Sequence, residues 1–159
     1  PPALGFTGRN RRPPRDPVNA LLSFLYSVLG KDISGALQSV GLDPQVGFLH
    51  ADRPGRDSLA QDLLEEFRAW WVDRMILSLI NRGQIRLQDF STEAGGAVNI
   101  KPEARKLLFQ TLQAKKQEKI VHPYLQEEVE IGLLPHIQAM LLARHLRGDL
   151  AEYPPFLMR

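Results

Sequence analysis

Cysteine is absent from the 159 residues. That excludes disulfides, thiol nucleophiles and cysteine-ligated zinc or iron–sulfur centres, and it fits a reducing, cytoplasmic compartment. No apolar run reads as long enough to span a bilayer, and no secretory signal pattern is present. Charge of one sign is scarce: 20 Lys and Arg against 18 Asp and Glu leave a formal charge of +2, too small to name a partner. Internal repeats and heptad runs are lacking. There is no initiator Met either. The chain opens on Pro1-Pro2 and reads as an excised piece of a longer protein.

What is present is a core. Hydrophobic residues make up 43% of the chain, enough for one ordinary globular domain. Residues 1–15 are rich in Pro, Gly and Arg and read as an arm or loop. Asp16-Pro17 is a helix start, with Asp as N-cap and Pro where no N–H is needed. Val18, Leu21, Leu22, Leu25 and Leu29 follow at helical spacing. Gly30 is the expected stop, and Asp32 the cap of a short second helix ending at Gly41.

The strongest helical signal runs from Ser58 to Arg82, with Ser58 and Gln61 in capping-box spacing and Gly83 after it. Leu59, Leu63, Phe67, Trp70 and Arg74 fall on one stripe. The stretch Met75-Ile76-Leu77 is apolar nearly all round, which predicts deep burial. A small hairpin is expected in 84–100, with Ile85 and Leu87 opposite Val98 and Ile100 across Gly95-Gly96. Pro102 opens a helix to Lys119. Residues 123–147 are expected to be helical, kinked or split at Gly132 and Pro135. An extended aromatic tail ends the chain. The predicted architecture is mainly α: a multi-helix catalytic domain over 16–150 with a small β-hairpin, an arm over 1–15 and a tail over 151–159.

Chemistry concentrates in two places. Asp62, Glu65 and Glu66 stand three or four residues apart on the long helix, so their carboxylates share neighbouring turns. His50 lies in the loop that feeds this helix. Imidazole with carboxylates suits Mn2+ or Mg2+ chemistry on phosphates. An acidic first turn also simply complements the helix dipole. On the helical wheel Glu66 lies nearer the apolar stripe than Glu65, and spacing alone leaves open which is the ligand. The second place is the arm. Arg9, Arg11, Arg12 and Arg15, interleaved with Gly and Pro, suit nucleic-acid phosphates as well as they suit a solvated linker. His122 and His136 read as structural, Arg144 to Arg147 as a basic helix end, and Trp70-Trp71 as core.

Longer motifs carry a resemblance. Arg11-Arg12-Pro13-Pro14-Arg15-Asp16-Pro17-Val18-Asn19-Ala20, Gly41-Leu42-Asp43-Pro44 leading to His50, Gly55-Arg56-Asp57-Ser58 leading to Arg68, and the final run Leu133-Leu134-Pro135-His136 to Tyr153-Pro154-Pro155-Phe156 resemble the CRISPR-associated integrase, the larger protein of the spacer-adaptation pair. The resemblance covers nearly the whole chain. It implies a metal-dependent DNA endonuclease and integrase of prokaryotic antiviral defence, using Mn2+ or Mg2+. It places the family's histidine ligand on His50 and the later acid on Glu65, with Asp62 as a neighbouring acid. It implies DNA (spacer fragment and CRISPR repeat) and the smaller adaptation-pair protein as partners. It also implies a homodimer in the full-length protein, cytoplasmic location and no membrane. One departure stands out: the family's first glutamate ligand precedes the Arg-Pro-Pro motif, and residues 1–8 contain no acid. The family's N-terminal β domain has no counterpart here. A non-catalytic DNA-binding or scaffold fragment is therefore the competing reading, and a helical protein-interaction domain a third.

Overall fold

The computed structural model describes residue 8 and residues 13–45 and 58–158. His50, Arg9, Arg11 and Arg12 lie outside the described residues.

Helix α1 spans Pro17–Ser39. Its N-cap is Asp16, whose side chain accepts from Asn19 N at 2.9 Å. The expected stop at Gly30 does not occur, and the two helices predicted there are one. Leu21, Leu25, Leu29, Ile33 and Leu37 recur every four residues and are all fully buried. Burying one such side chain contributes about 1.5–3 kcal/mol, against about 1 kcal/mol for a mid-helix glycine. The stop falls at Gly41 instead, where φ is +84°. Gly41 N donates to Gln38 O at 3.0 Å and Leu42 N to Leu37 O at 2.9 Å, which closes a Schellman motif. Gly83 and Gly148 end later helices with the same bond pattern. Running unbroken, α1 is long and apolar enough to cross a membrane by length and composition, with a mean hydropathy of 1.2, contrary to the sequence-based expectation. In the fold it is the central core helix, packed on both α2 (Ser58–Phe67) and α5 (Leu134–Leu146).

The long helix predicted from Ser58 is present in three pieces: α2, a π-helical segment Arg68–Asp73, and α3 (Arg74–Asn81). Its first N–H groups, on Leu59 and Ala60, donate to Pro44 O at 2.7 and 3.2 Å. The π segment explains why the apolar stripe differs from the predicted one. Residues four apart drift around a regular helix of 3.6 residues per turn, and a wider i→i+5 turn takes that drift back. Leu59, Leu63, Phe67, Trp71, Met75 and Leu79 therefore hold one buried face. Trp70 and Arg74 leave it: Trp70 is half-buried and Arg74 exposed. Leu77, expected in the core, is 49% exposed, because the packed side of α3 is that of Met75, Ile76 and Leu79.

The first hairpin pairs β1 (Phe90–Thr92) with β2 (Val98–Ile100), Phe90 opposite Ile100 and Thr92 opposite Val98. The arm predicted at Ile85 and Leu87 is displaced. Ile85 is buried in the turn after α3, and Leu87 begins a 3-10 turn with its side chain exposed. Helix α4 (Pro102–Gln117) buries Ala104, Leu108 and Leu112. Then comes a second hairpin, β3 (Lys119–Val121) with β4 (Glu128–Glu130), where the sequence predicted helix. Pro123 and a left-handed Gln126 (φ +58°) form its turn, and His122 caps it, Nδ1 accepting from the amides of Tyr124 and Leu125. Pro135 does not kink a helix. It sits in the first turn of α5, where proline is preorganised for helix entry.

Gly132 sits where α4 meets the start of α5. A Cβ there would lie 2.9 Å from Lys116 Cβ and 3.2 Å from Lys116 O. Gly132→Ala is expected to destabilise the fold by about 1–3 kcal/mol through overpacking. An unchanged denaturant midpoint would show that α4 shifts without resistance.

Candidate active site

A cleft of about 530 Å³ opens along α2. Asp62, Glu65 and Glu66 line it from α2, His145 from α5, and Glu152 and Tyr153 from the tail. Asp62 is buried, 5% exposed. Glu65, one turn on, is half exposed, and its Oε1 accepts from Arg68 Nη1 at 2.7 Å. Arg68 is itself held in place. Its guanidinium lies over the Tyr26 ring at 5.0 Å, and its Nε donates to Tyr26 Oη at 3.2 Å. Tyr26 Oη donates in turn to Asp73 at 2.7 Å. The Tyr26 hydrogen bond and then Glu65 push the Arg68 guanidinium pKa further up, so it stays charged beside Glu65.

Glu66 faces another way. Its Oε1 accepts from Phe156 N at 2.8 Å and from Gln138 Nε2 at 3.2 Å, and its Oε2 accepts from Tyr153 Oη at 2.8 Å. Gln138, fully buried on α5, also reaches Pro154 O at 3.1 Å and, through its Oε1, His122 Nε2 at 2.7 Å. Burial raises the Glu66 carboxyl above its ordinary value, outweighing the donors from Phe156, Tyr153 and Gln138 that favour the charged form; Asp62 adds a smaller upward push. Burial and then the Glu66 charge push the Tyr153 phenol up too, so it remains a donor.

Folding therefore makes Glu66 harder to ionise than in the unfolded chain, although the donors on both its oxygens serve the carboxylate. Its contribution to stability is fully present below the unfolded carboxyl pKa and is lost as pH rises through the raised folded value. The melting-temperature advantage of wild type over Glu66→Gln is expected to shrink as pH goes from about 4 to about 8. A difference that grows with pH would reverse the assignment.

Asp62 and Glu65 both line this cleft, and carboxylate oxygens are the hard donors that Mn2+ and Mg2+ take. Among the described residues no three His, Asp or Glu side chains converge as a metal site. His50, the imidazole that the resemblance adds to this pair, is outside the described residues. Of the arginine arm, Arg15 is described: its Nη1 donates to Gly95 O at 3.4 Å, in the turn of the first hairpin. His122 is a fully buried turn cap and His136 an exposed residue 3.5 Å from Ser39 Oγ, in keeping with the structural reading of both. Trp71 is core, and Trp70 packs edge-on to Phe156. Sequence reasoning missed the Gln138–Tyr153–Glu66 network. The one available signal was the position of Glu66 beside the apolar stripe. His145 was read only as part of a basic helix end, yet its Nδ1 bonds Leu150 O at 3.0 Å and it lines the cleft.

Comparison with known proteins agrees with this architecture. Residues 1–114 match the family model described as CRISPR associated protein Cas1. The chain is 58% identical over 158 residues to CRISPR-associated endonuclease Cas1 1 of Chlorobaculum tepidum, covering 99% of this chain and 46% of that relative. Among solved structures, a casposase bound to integration product superposes with a TM-score of 0.88 at 27% identity, over 100% of this chain and 48% of that one. A partial Cas6-RT-Cas1–Cas2 complex superposes with a TM-score of 0.80 at 27% identity, over 99% and 46%. The chain spans about half the length of the curated relatives it matches. With the family model matching residues 1–114 and a relative 58% identical over 99% of this chain, the chain belongs to the Cas1 family.

Proposed function

We propose that the chain forms the helical catalytic part of a metal-dependent DNA integrase and endonuclease that inserts spacer DNA into a CRISPR array. The observation that carries this reading is the pair Asp62 and Glu65, one helical turn apart on the wall of a cleft, in a chain of the Cas1 family. Relatives are named CRISPR-associated endonucleases, and one structural neighbour is bound to an integration product. Another sits in a complex with Cas2, which supports DNA and the smaller adaptation protein as partners.

The reaction is a transesterification. The 3′-hydroxyl oxygen of the spacer fragment attacks a phosphorus of the repeat, a new P–O bond forms, and the old bond to the leaving 3′-oxygen breaks. One phosphodiester replaces another, and the attacking hydroxyl's proton ends on the leaving oxygen by way of solvent. Asp62, Glu65 and His50 would hold Mn2+ or Mg2+, which would supply charge neutralisation at the non-bridging oxygens and acidify the attacking hydroxyl. The chain's own part is to hold and orient. Glu65, paired with Arg68, presents its carboxylate to the cleft. Arg9, Arg11, Arg12 and Arg15 take the DNA backbone. Run in reverse on branched DNA, the same chemistry reads as nuclease activity.

The full-length protein is expected to cleave or join branched DNA with Mn2+, to lose that activity in chelator, and to lose it in His50→Ala. Salt-dependent DNA binding with no effect of Mn2+ on turnover would instead establish a scaffold.

A further inference from the structure

Glu65 and Glu66 are neighbours in sequence with opposite fates. Glu65 lines the cleft and pairs with Arg68, whereas both oxygens of Glu66 are taken up by the tail and by Gln138. The tail has no regular structure from Tyr153 to Met158, so its own backbone ladder does not hold it. It is held at three points: Tyr153 Oη and Phe156 N on Glu66, and Pro154 O on Gln138. Beneath them Phe156 inserts its ring among Phe67, Trp70 and His122. So held, Glu152, Tyr153 and Pro155 line the same cleft as Asp62 and Glu65.

We propose that Glu66 is a positioning residue for the reaction at Asp62 and Glu65: it clamps the tail as a wall of the cleft and so fixes the space a DNA strand enters. This rests on the function proposed above. Glu66 acts through the tail and does not touch the metal. A glutamine there keeps the size but offers one carbonyl oxygen where the carboxylate serves donors with two, and its amide faces donors with a donor. Charge-assisted bonds of this kind are the strong ones.

The test uses the full-length protein with Glu66→Gln and, as a milder variant in case the first folds poorly, Tyr153→Phe. Three quantities are read on each: hydrogen exchange at the Phe156 amide, the KM–kcat split on branched DNA, and the Mn2+ concentration at half-maximal rate. The expected result is faster exchange at Phe156 and a KM raised about tenfold, with kcat and the Mn2+ midpoint within about twofold of wild type. Tyr153→Phe shifts the same quantities in the same direction by less. A raised Mn2+ midpoint with Phe156 protection intact would make Glu66 a ligand and overturn the proposal. Lost protection with unchanged KM would leave the clamp merely structural and also overturn it. A wild-type protein inactive with every divalent ion refutes the function itself, and the positioning role with it.

Discussion

Replacing Phe156 with alanine should lower the unfolding free energy by about 3–5 kcal/mol, the range for emptying a well-packed aromatic site. The position lies in a stretch without regular structure, where substitutions usually cost little. Here the ring is 2% exposed and sits 5.3 Å from Phe67, 5.3 Å from Trp70 and 5.7 Å from His122. Those partners belong to α2, the π segment and the second hairpin, so the cavity could not be closed by moving one element. The backbone is committed as well, since Phe156 N donates to Glu66. Phe156→Leu, which keeps most of the volume, should cost much less. Urea denaturation of both variants decides the matter: a loss below about 1 kcal/mol for Phe156→Ala would mean the tail is not part of the core.

Glu65→Ala should reduce metal-dependent activity on DNA by at least about a hundredfold while leaving stability within about 1 kcal/mol of wild type. The second half of that expectation makes the first informative. Glu65 is half exposed, and its ion pair with Arg68 is a surface pair of small worth. A fold defect cannot then be blamed for lost turnover. Asp62→Asn tests the buried partner at constant volume and should lose activity to a similar extent. Single-turnover rates beside melting temperatures distinguish the outcomes. Near-wild-type rates in Glu65→Ala would remove it from the ligand set.

Helix existence was readable wherever a stripe of apolar residues ran long enough, as in α1, α2 and α4. Boundaries failed where local signals competed with packing. Gly30 looked like a stop, but the buried face of α1 continues through Leu29, Ile33 and Leu37, and burial overrode the glycine. The π segment was invisible because wheel geometry assumes one constant turn: it kept Trp71 in the core and turned Trp70, expected there too, half out of it. The second hairpin was missed because no glycine pair like Gly95-Gly96 marks its turn, which rests on Pro123 and a left-handed Gln126 instead. At the site, Asp62 and Glu65 were legible from their spacing and from the family resemblance. The tail's role was not, because bonds between Glu66 and residues 87 and 90 positions away leave no periodic trace.

Anomalous diffraction from crystals of the full-length protein grown with Mn2+ examines the ligand set with no kinetic assumption. A single manganese peak is expected, bonded to carboxylate oxygens of Asp62 and Glu65 and to an imidazole nitrogen of His50. A peak that engages Glu66 while leaving Asp62 and Glu65 bare, or no peak in the cleft at saturating Mn2+, would contradict it.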